Sequence, residues 1–149
     1  MSVHRLELTV AAALSFAIAA FHLVIMRVGA PAYRYFGAGE EMARRAESGS
    51  ALPPLLTLFA TAVFAVFGLL ALAGAGHVRS LIRGFVRSGL VVVTAIYLLR
   101  GLAVVPEVIA LLRGSPAVLP RQAVFSLISL LVGGIYARGT FRYWARLGK

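Results

Sequence analysis

The sequence predicts an all-α membrane protein, an up-down bundle of four transmembrane helices with a short interfacial helix after the first. Of the 149 residues, 60% are hydrophobic and 13% are charged, whereas a soluble domain has about 45–50% apolar and about 25% charged residues. The apolar residues form four continuous stretches, each near the ~20 residues that cross a bilayer. These stretches lack the polar–apolar alternation of a transmembrane β-barrel, so helices are expected.

A chain of this length is expected to form a single transmembrane domain, residues 1–149. The predicted spans are residues 8–28, 52–76, 84–112 and 123–140. The first apolar stretch is longer than the apolar part of a signal peptide, which indicates a retained span. The third span is unusually long and contains Pro106, a residue that bends or ends a helix.

The longest predicted extramembrane segment is the loop of residues 29–51. Gly29 and Pro31 are expected to end the first helix. The run Glu40-Glu41-Met42-Ala43-Arg44-Arg45 then predicts a short helix, because each Glu lies four residues before an Arg, the favoured direction. Two interpretations remain open. The helix either joins two spans at the interface, or forms a lid in which Glu40 and Glu41 cover an outward-facing site.

The net charge of +10 comes from fourteen Arg and one Lys against five Glu. The basic residues bracket the apolar stretches, as expected for charges that fix topology. There is no basic tail or aromatic platform of the kind that binds nucleic acid, so no nucleic-acid partner is expected. Eight basic residues against six favour both termini in the cytoplasm, in an inner (plasma) membrane. The eight are Arg5, Arg79, Arg83, Arg87, Arg138, Arg142, Arg146 and Lys149; the six are Arg27, Arg34, Arg44, Arg45, Arg113 and Arg121.

Three of the spans have a stripe of small or polar residues at helical spacing. Small residues let helices approach closely in lipid, and hydroxyl groups form hydrogen bonds across the contact. These stripes are therefore expected to face other helices. They consist of Ala11, Ser15, Ala19, His22 and Met26 in the first span, of Thr57, Thr61, Phe64, Gly68, Ala71 and Ala75 in the second, and of Ser126, Ser129, Gly133 and Tyr136 in the fourth.

The third span instead places Tyr97, Arg100 and Glu107 on one stripe. An arginine within a span is costly and normally faces the bundle interior, water or a partner. Residue counting places His22 in the outward half of the first span, so we expect a ligand-binding layer of His22, Arg100 and Glu107, with Tyr97 and Thr57 beside it. The alternative is that Arg100 extends to the interface or forms a structural ion pair with Glu107, which requires a bend at Pro106.

Catalytic and cofactor motifs are absent from the sequence. The three His residues are far apart, so neither a metal site nor a cofactor is expected, and the lack of cysteine excludes thiol nucleophiles. Three functions remain. The protein binds or transports a small or lipidic molecule, serves as an accessory subunit of a homo-oligomer or larger membrane complex, or modifies lipids as an enzyme. An enzyme has the least support, because His22 and Glu107 are the only acid–base candidates.

Three segments resemble a group of small bacterial four-span integral membrane proteins. They are Tyr33-Arg34-Tyr35-Phe36-Gly37-Ala38-Gly39-Glu40-Glu41-Met42-Ala43, Ala71-Leu72-Ala73-Gly74-Ala75-Gly76, and Tyr97-Leu98-Leu99-Arg100-Gly101. The group has no assigned activity. The resemblance therefore implies a four-span fold in a bacterial membrane and carries no residue roles.

Overall fold

The computed structural model of the protein describes residues 3–78 and 83–147, and within these ranges every regular element is a helix. Four segments are long and apolar enough to cross a membrane: Arg5–Val28, Leu52–Gly74, Gly84–Leu112 and Pro120–Ala145. The predicted all-α class with four spans is thus confirmed. Arg79 and Lys149, which enter the topology prediction, lie outside the described residues. The helices are α1 Val3–Val28, α2 Ala30–Phe36, α3 Glu40–Glu47, α4 Leu52–Gly74, α5 Arg83–Leu102, α6 Val104–Leu112 and α7 Pro120–Leu147.

The first and last helices extend beyond the predicted spans. Helix α1 begins at Val3 rather than near residue 8, and α7 continues to Leu147 rather than ending near residue 140. The two extended helices are joined by an ion-pair cluster, in which Glu7 Oε1 lies 2.6 Å from Arg142 and 3.2 Å from Arg138 on α7. A carboxylate that is paired with two cations can remain in a helix next to apolar residues.

The third span is divided into α5 and α6 by a break at Ala103. Pro106 accounts for the position of this break, because its ring excludes the carbonyl four residues earlier, at Leu102, where α5 ends. The chain continues helically, and the amide of Glu107 donates to the Ala103 carbonyl at 3.2 Å. The bend that the sequence suggested at Pro106 therefore lies three residues before the proline.

The loop after the first span contains two helices, of which the sequence predicted only α3. Helix α2 begins directly after Gly29, which adopts φ 77°, and has Pro31 in its first turn, where a missing amide N–H costs nothing. Gly37, at φ 87°, ends α2 in the left-handed conformation. Gly29 and Pro31 thus end the first helix as expected, but they also start a second one.

The contacts of the chain fall into two compact units. The smaller unit is Ala13–Gly68, and the larger unit combines Met1–Ala12 with Leu69–Lys149. In the smaller unit, Ile25, Tyr33 and Ala43 form a core under α2 and α3. In the larger unit, Leu8 and Leu90 are fully buried and pack against Gly74, whose missing side chain leaves them room.

Helices α5 and α7 form the most extensive contact of the larger unit, and glycines make it close. A Cβ atom on Gly101 would lie 2.5 Å from the Leu130 backbone, and one on Gly133 would lie 2.9 Å from the Leu98 side chain. Gly133 and Tyr136 of the predicted α7 stripe are buried, as is Ser126. The small stripe of the fourth span therefore faces a helix, as the sequence indicated.

Candidate functional site

A polar cluster lies where α5 ends, α6 begins and α7 passes. It consists of Arg100 near the end of α5, Glu107 in the first turn of α6, and Ser126 on α7, all in the larger unit. We call these three residues the Arg100 cluster. Two of them were predicted as site residues, whereas Ser126 was predicted only as part of a packing stripe.

The Arg100 guanidinium is held from two sides. Its Nη1 donates a short hydrogen bond to Ser126 Oγ, and the same nitrogen lies 3.8 Å from Glu107 Oε1. The serine is fully buried, while the Arg100 side chain is 49% exposed and that of Glu107 18% exposed. The guanidinium thus has a buried anchor and an open side.

The ion pair of Arg100 with Glu107 spans the break at Ala103. The two residues are seven positions apart, about 10 Å along a straight helix, and the arginine and glutamate side chains reach toward each other along one stripe. Arg100 Nη1 lies 3.8 Å from Glu107 Oε1. The structural alternative expected from the sequence, an ion pair between these two residues, is therefore present in the molecule.

Hydrogen-bonding capacity remains in this cluster. A guanidinium has five N–H donors, and Ser126 takes the one hydrogen bond that Arg100 makes among the described residues. Glu107 Oε2 is buried and has no hydrogen-bond partner within the part of the chain that the structure describes. Leaving such an oxygen unpaired costs roughly 1–3 kcal/mol. The cluster can therefore bind a polar group that accepts a hydrogen bond from the guanidinium and donates one to the carboxylate.

Tyr97, three residues before Arg100, is buried to 4% exposure, and its ring stacks on Tyr136 with centroids 5.4 Å apart. The phenol ring therefore contributes to the contact between α5 and α7. Its predicted place beside the ligand remains a prediction.

His22 and Thr57 belong to the smaller unit, and both have partners there. His22 Nδ1 lies 2.8 Å from the Ile18 carbonyl, and its ring packs on Phe64 at 5.0 Å. Thr57 Oγ1 donates to the Pro53 carbonyl at 2.8 Å and lies 3.2 Å from the hydroxyl of the buried Tyr33. A threonine hydroxyl has one proton to donate, so the Tyr33 phenol is the donor in the second contact. Thr57 thereby fixes α2 to α4.

Glu40 and Glu41 occupy the first turn of α3, as predicted. Glu41 pairs with Arg45 at 2.8 Å, which is one predicted i,i+4 pair. Glu40 lies 3.6 Å from Arg44, the other predicted i,i+4 pair. Glu40 also makes a two-point contact with Arg34 on α2, at 2.9 and 3.0 Å, and Glu47 binds the same guanidinium at 2.7 and 3.1 Å. The hydrogen bonds from Arg34 lower the pKa of both carboxyls, and they raise the already high pKa of the guanidinium.

Sequence reasoning treated the charges at the two chain ends only as topology signals. The structure shows that Glu7 pairs with Arg138 and Arg142, and that the Arg87 guanidinium lies 4.1 Å above the Trp144 ring. The signals were available: Arg138 and Arg142 share a helix face at i,i+4, and Glu7 is the one acidic residue of the first span. The pairing of Glu7 with these two arginines joins residues far apart in the chain, and helical periodicity does not predict such contacts.

No group of three or more potential metal ligands occurs among the described residues. No protein-family model, curated protein or solved structure matches the chain.

Proposed function

We propose that this chain is a multi-pass protein of a bacterial inner membrane that binds the polar group of a small or lipidic molecule at the Arg100 cluster. The observation that supports this function is an arginine in a predicted span with one buried anchor, one loose ion pair and an open side. An ionisable residue within a span is costly, and it is by default a candidate for a ligand or ion site. The polar group is anionic or mixed, because it meets both a guanidinium and a carboxylate.

The proposal restricts the predicted site to the groups that meet one another. Arg100 binds the anionic part of the ligand, Ser126 keeps the guanidinium in place, and Glu107 accepts a hydrogen bond from a hydroxyl or amine of the same molecule. Tyr97, His22 and Thr57 are not required.

Native mass spectrometry of the protein in mild detergent tests the binding function. We expect the wild type to retain a molecule of defined mass and the Arg100→Gln variant to lose it. Arg113→Gln is the matched control, because Arg113 also lies at the end of a helix and is exposed, outside the Arg100 cluster. Equal retention in all three proteins would contradict a role for Arg100. A retained protein subunit without a small ligand would favour the accessory-subunit function.

We also propose that both termini are cytoplasmic and that α2 and α3 lie on the periplasmic side of the membrane. The basis is the excess of basic residues near the termini and after α4. Reporter fusions after Ser50 and after Lys149 test this orientation. A periplasm-dependent reporter should be active at Ser50 and inactive at Lys149, and the reverse result would overturn the orientation.

A further inference from the structure

A groove with a volume of about 530 Å³ runs along the contact of α5 and α7 in the larger unit. Its floor contains Thr94 and Thr140, whose hydroxyl oxygens lie 3.4 Å apart. The Thr94 hydroxyl donates to the Leu90 carbonyl at 2.7 Å, so the floor has little hydrogen-bonding capacity left for a ligand. Its other lining residues are Val91, Ala95, Leu98, Ala137, Phe141, Trp144 and Ala145.

The shape of the groove follows from the sizes of its side chains. Alanines at positions 95, 137 and 145 leave space, and Leu98, Phe141 and Trp144 form the rims. On α7 the lining extends from Ala137 to Ala145, a rise of about 12 Å. Half of a ~30 Å hydrocarbon core is about 15 Å, so the groove is about as long as one leaflet is deep.

One end of the groove is positively charged. Trp144 lies there, with Arg87 stacked on its ring at 4.1 Å, and the Arg87 Nε atom is buried without a hydrogen-bond partner among the described residues. Arg142 lies two residues before Trp144 on α7, and it shares the carboxylate of Glu7 with Arg138, which lies nearer the other end of the groove, next to Ala137. Among the described residues, the Trp144 end therefore has two cations against one shared carboxylate, and a tryptophan of the kind enriched at membrane interfaces.

We propose that the groove binds one acyl chain of an anionic phospholipid, with the phosphate at Arg87 and the chain along Val91, Ala95 and Leu98. An apolar channel of one leaflet's length fits a lipid tail, and the surplus positive charge at its end complements the headgroup. This site is distinct from the Arg100 cluster, because Arg87 and Arg100 are thirteen residues apart on α5, about 20 Å.

Trp144 reports on this site directly, because it is the only tryptophan of the chain. Delipidated protein in detergent is titrated with phosphatidylglycerol that has brominated acyl chains, and separately with brominated phosphatidylcholine. Bromine quenches nearby tryptophan fluorescence. We expect saturable quenching by both lipids, with the half-saturating concentration about five-fold lower for the anionic lipid, the preference that one interfacial arginine provides.

Variants separate the two parts of the site. Arg87→Gln should remove the preference for the anionic lipid and keep the quenching. Ala95→Phe should fill the groove and reduce quenching by both lipids. Val92→Phe is the control, because it adds a ring three residues earlier on α5, at an exposed position that does not line the groove, and its quenching should equal that of the wild type.

Three results would overturn the proposal. Equal half-saturation by the two lipids would remove the headgroup interaction, and unchanged quenching in Ala95→Phe would place the lipid outside the groove. Absence of quenching by either lipid, together with disulfide-linked dimers of an Ala145→Cys variant, would assign the groove to a second copy of the chain. Retention of the ligand of the Arg100 cluster does not depend on any of these results.

Discussion

The contact of α5 with α7 and the contact of α2 with α3 are built from opposite chemistry. Between α5 and α7, Gly101 and Gly133 have no side chain, so the neighbouring helix packs directly against the backbone. Between α2 and α3, the Arg34 guanidinium bridges two carboxylates, those of Glu40 and Glu47. Helices surrounded by lipid gain little from burying apolar groups and depend on close packing. The short α2 and α3 helices are polar on one side and are joined there by charge.

The largest effect is expected at Gly101, where a side chain meets a backbone. Gly101→Leu should destabilise the protein by about 3 kcal/mol or more, because α5 and α7 must separate to admit it. Thermal unfolding in detergent measures this loss. Gly84→Leu is the control in the same helix, since no atom of the described residues lies within 4 Å of its added Cβ. Equal midpoints for the two variants would show that the contact does not stabilise the fold.

Gly133→Leu and Gly68→Leu should each lower the free energy of unfolding by less, about 1–3 kcal/mol, because the added group meets mainly side-chain atoms, which can shift. The added group would press on the Leu98 side chain at Gly133 and on the Phe16 ring at Gly68. Gly134→Leu is the neighbouring control, with open space around its Cβ. The same unfolding assay applies. A Gly134→Leu midpoint as low as that of Gly133→Leu would mean that loss of glycine, and not contact with α5, sets the stability.

The Arg100 cluster places charge at the close contact of α5 with α7. Arg100→Met alone should destabilise the protein by roughly 1–3 kcal/mol, since it leaves the partly buried Glu107 carboxylate without its cation. Replacing Glu107 by Leu as well should restore most of that stability, as often happens when both partners of a buried pair become apolar. Unfolding midpoints of the two singles and the double variant measure the coupling. A double variant less stable than either single would show that the pair itself holds α6 in place.

The smallest effect is expected between α2 and α3, whose charges are exposed. The Arg34 hydrogen bonds lower the pKa of Glu40 and Glu47. Their contribution to stability is therefore present above the ordinary carboxyl pKa and is lost as the pH falls through the lowered values. Carbon-13 NMR titration of labelled Glu side chains measures both groups. Arg34→Gln should return their pKa values toward the ordinary range, and unchanged titrations would show that Arg34 does not bind them in solution.

The spans were predictable from the sequence because a continuous apolar run carries its own signal. The i,i+4 pair of Glu41 with Arg45 and the buried face of Ser126 and Gly133 were also predictable, because both depend only on spacing within one helix. Helix α2 was missed because Gly29 and Pro31 were interpreted as the end of one helix and not also as the start of another. A glycine followed closely by a proline is compatible with the end of one helix and with the start of the next.

Contacts between distant residues account for the remaining differences. Glu7, in the part of α1 before the predicted span, meets two arginines more than 130 positions later. Arg100 was recognised as an unusual residue of its span, yet its anchor Ser126 lies on another helix. The sequence indicates that a buried charge needs a partner, but only the fold supplies the identity of that partner.

The break at Ala103 has a consequence for bilayer thickness. As one straight helix, the 29 residues of Gly84–Leu112 would measure about 43 Å, well beyond the ~30 Å of a hydrocarbon core. A rigid helix of that length relieves hydrophobic mismatch by tilting. Here α5 alone, with its 20 residues, measures about 30 Å and matches the core. The excess length of the third span therefore lies in α6, beyond the break at Ala103.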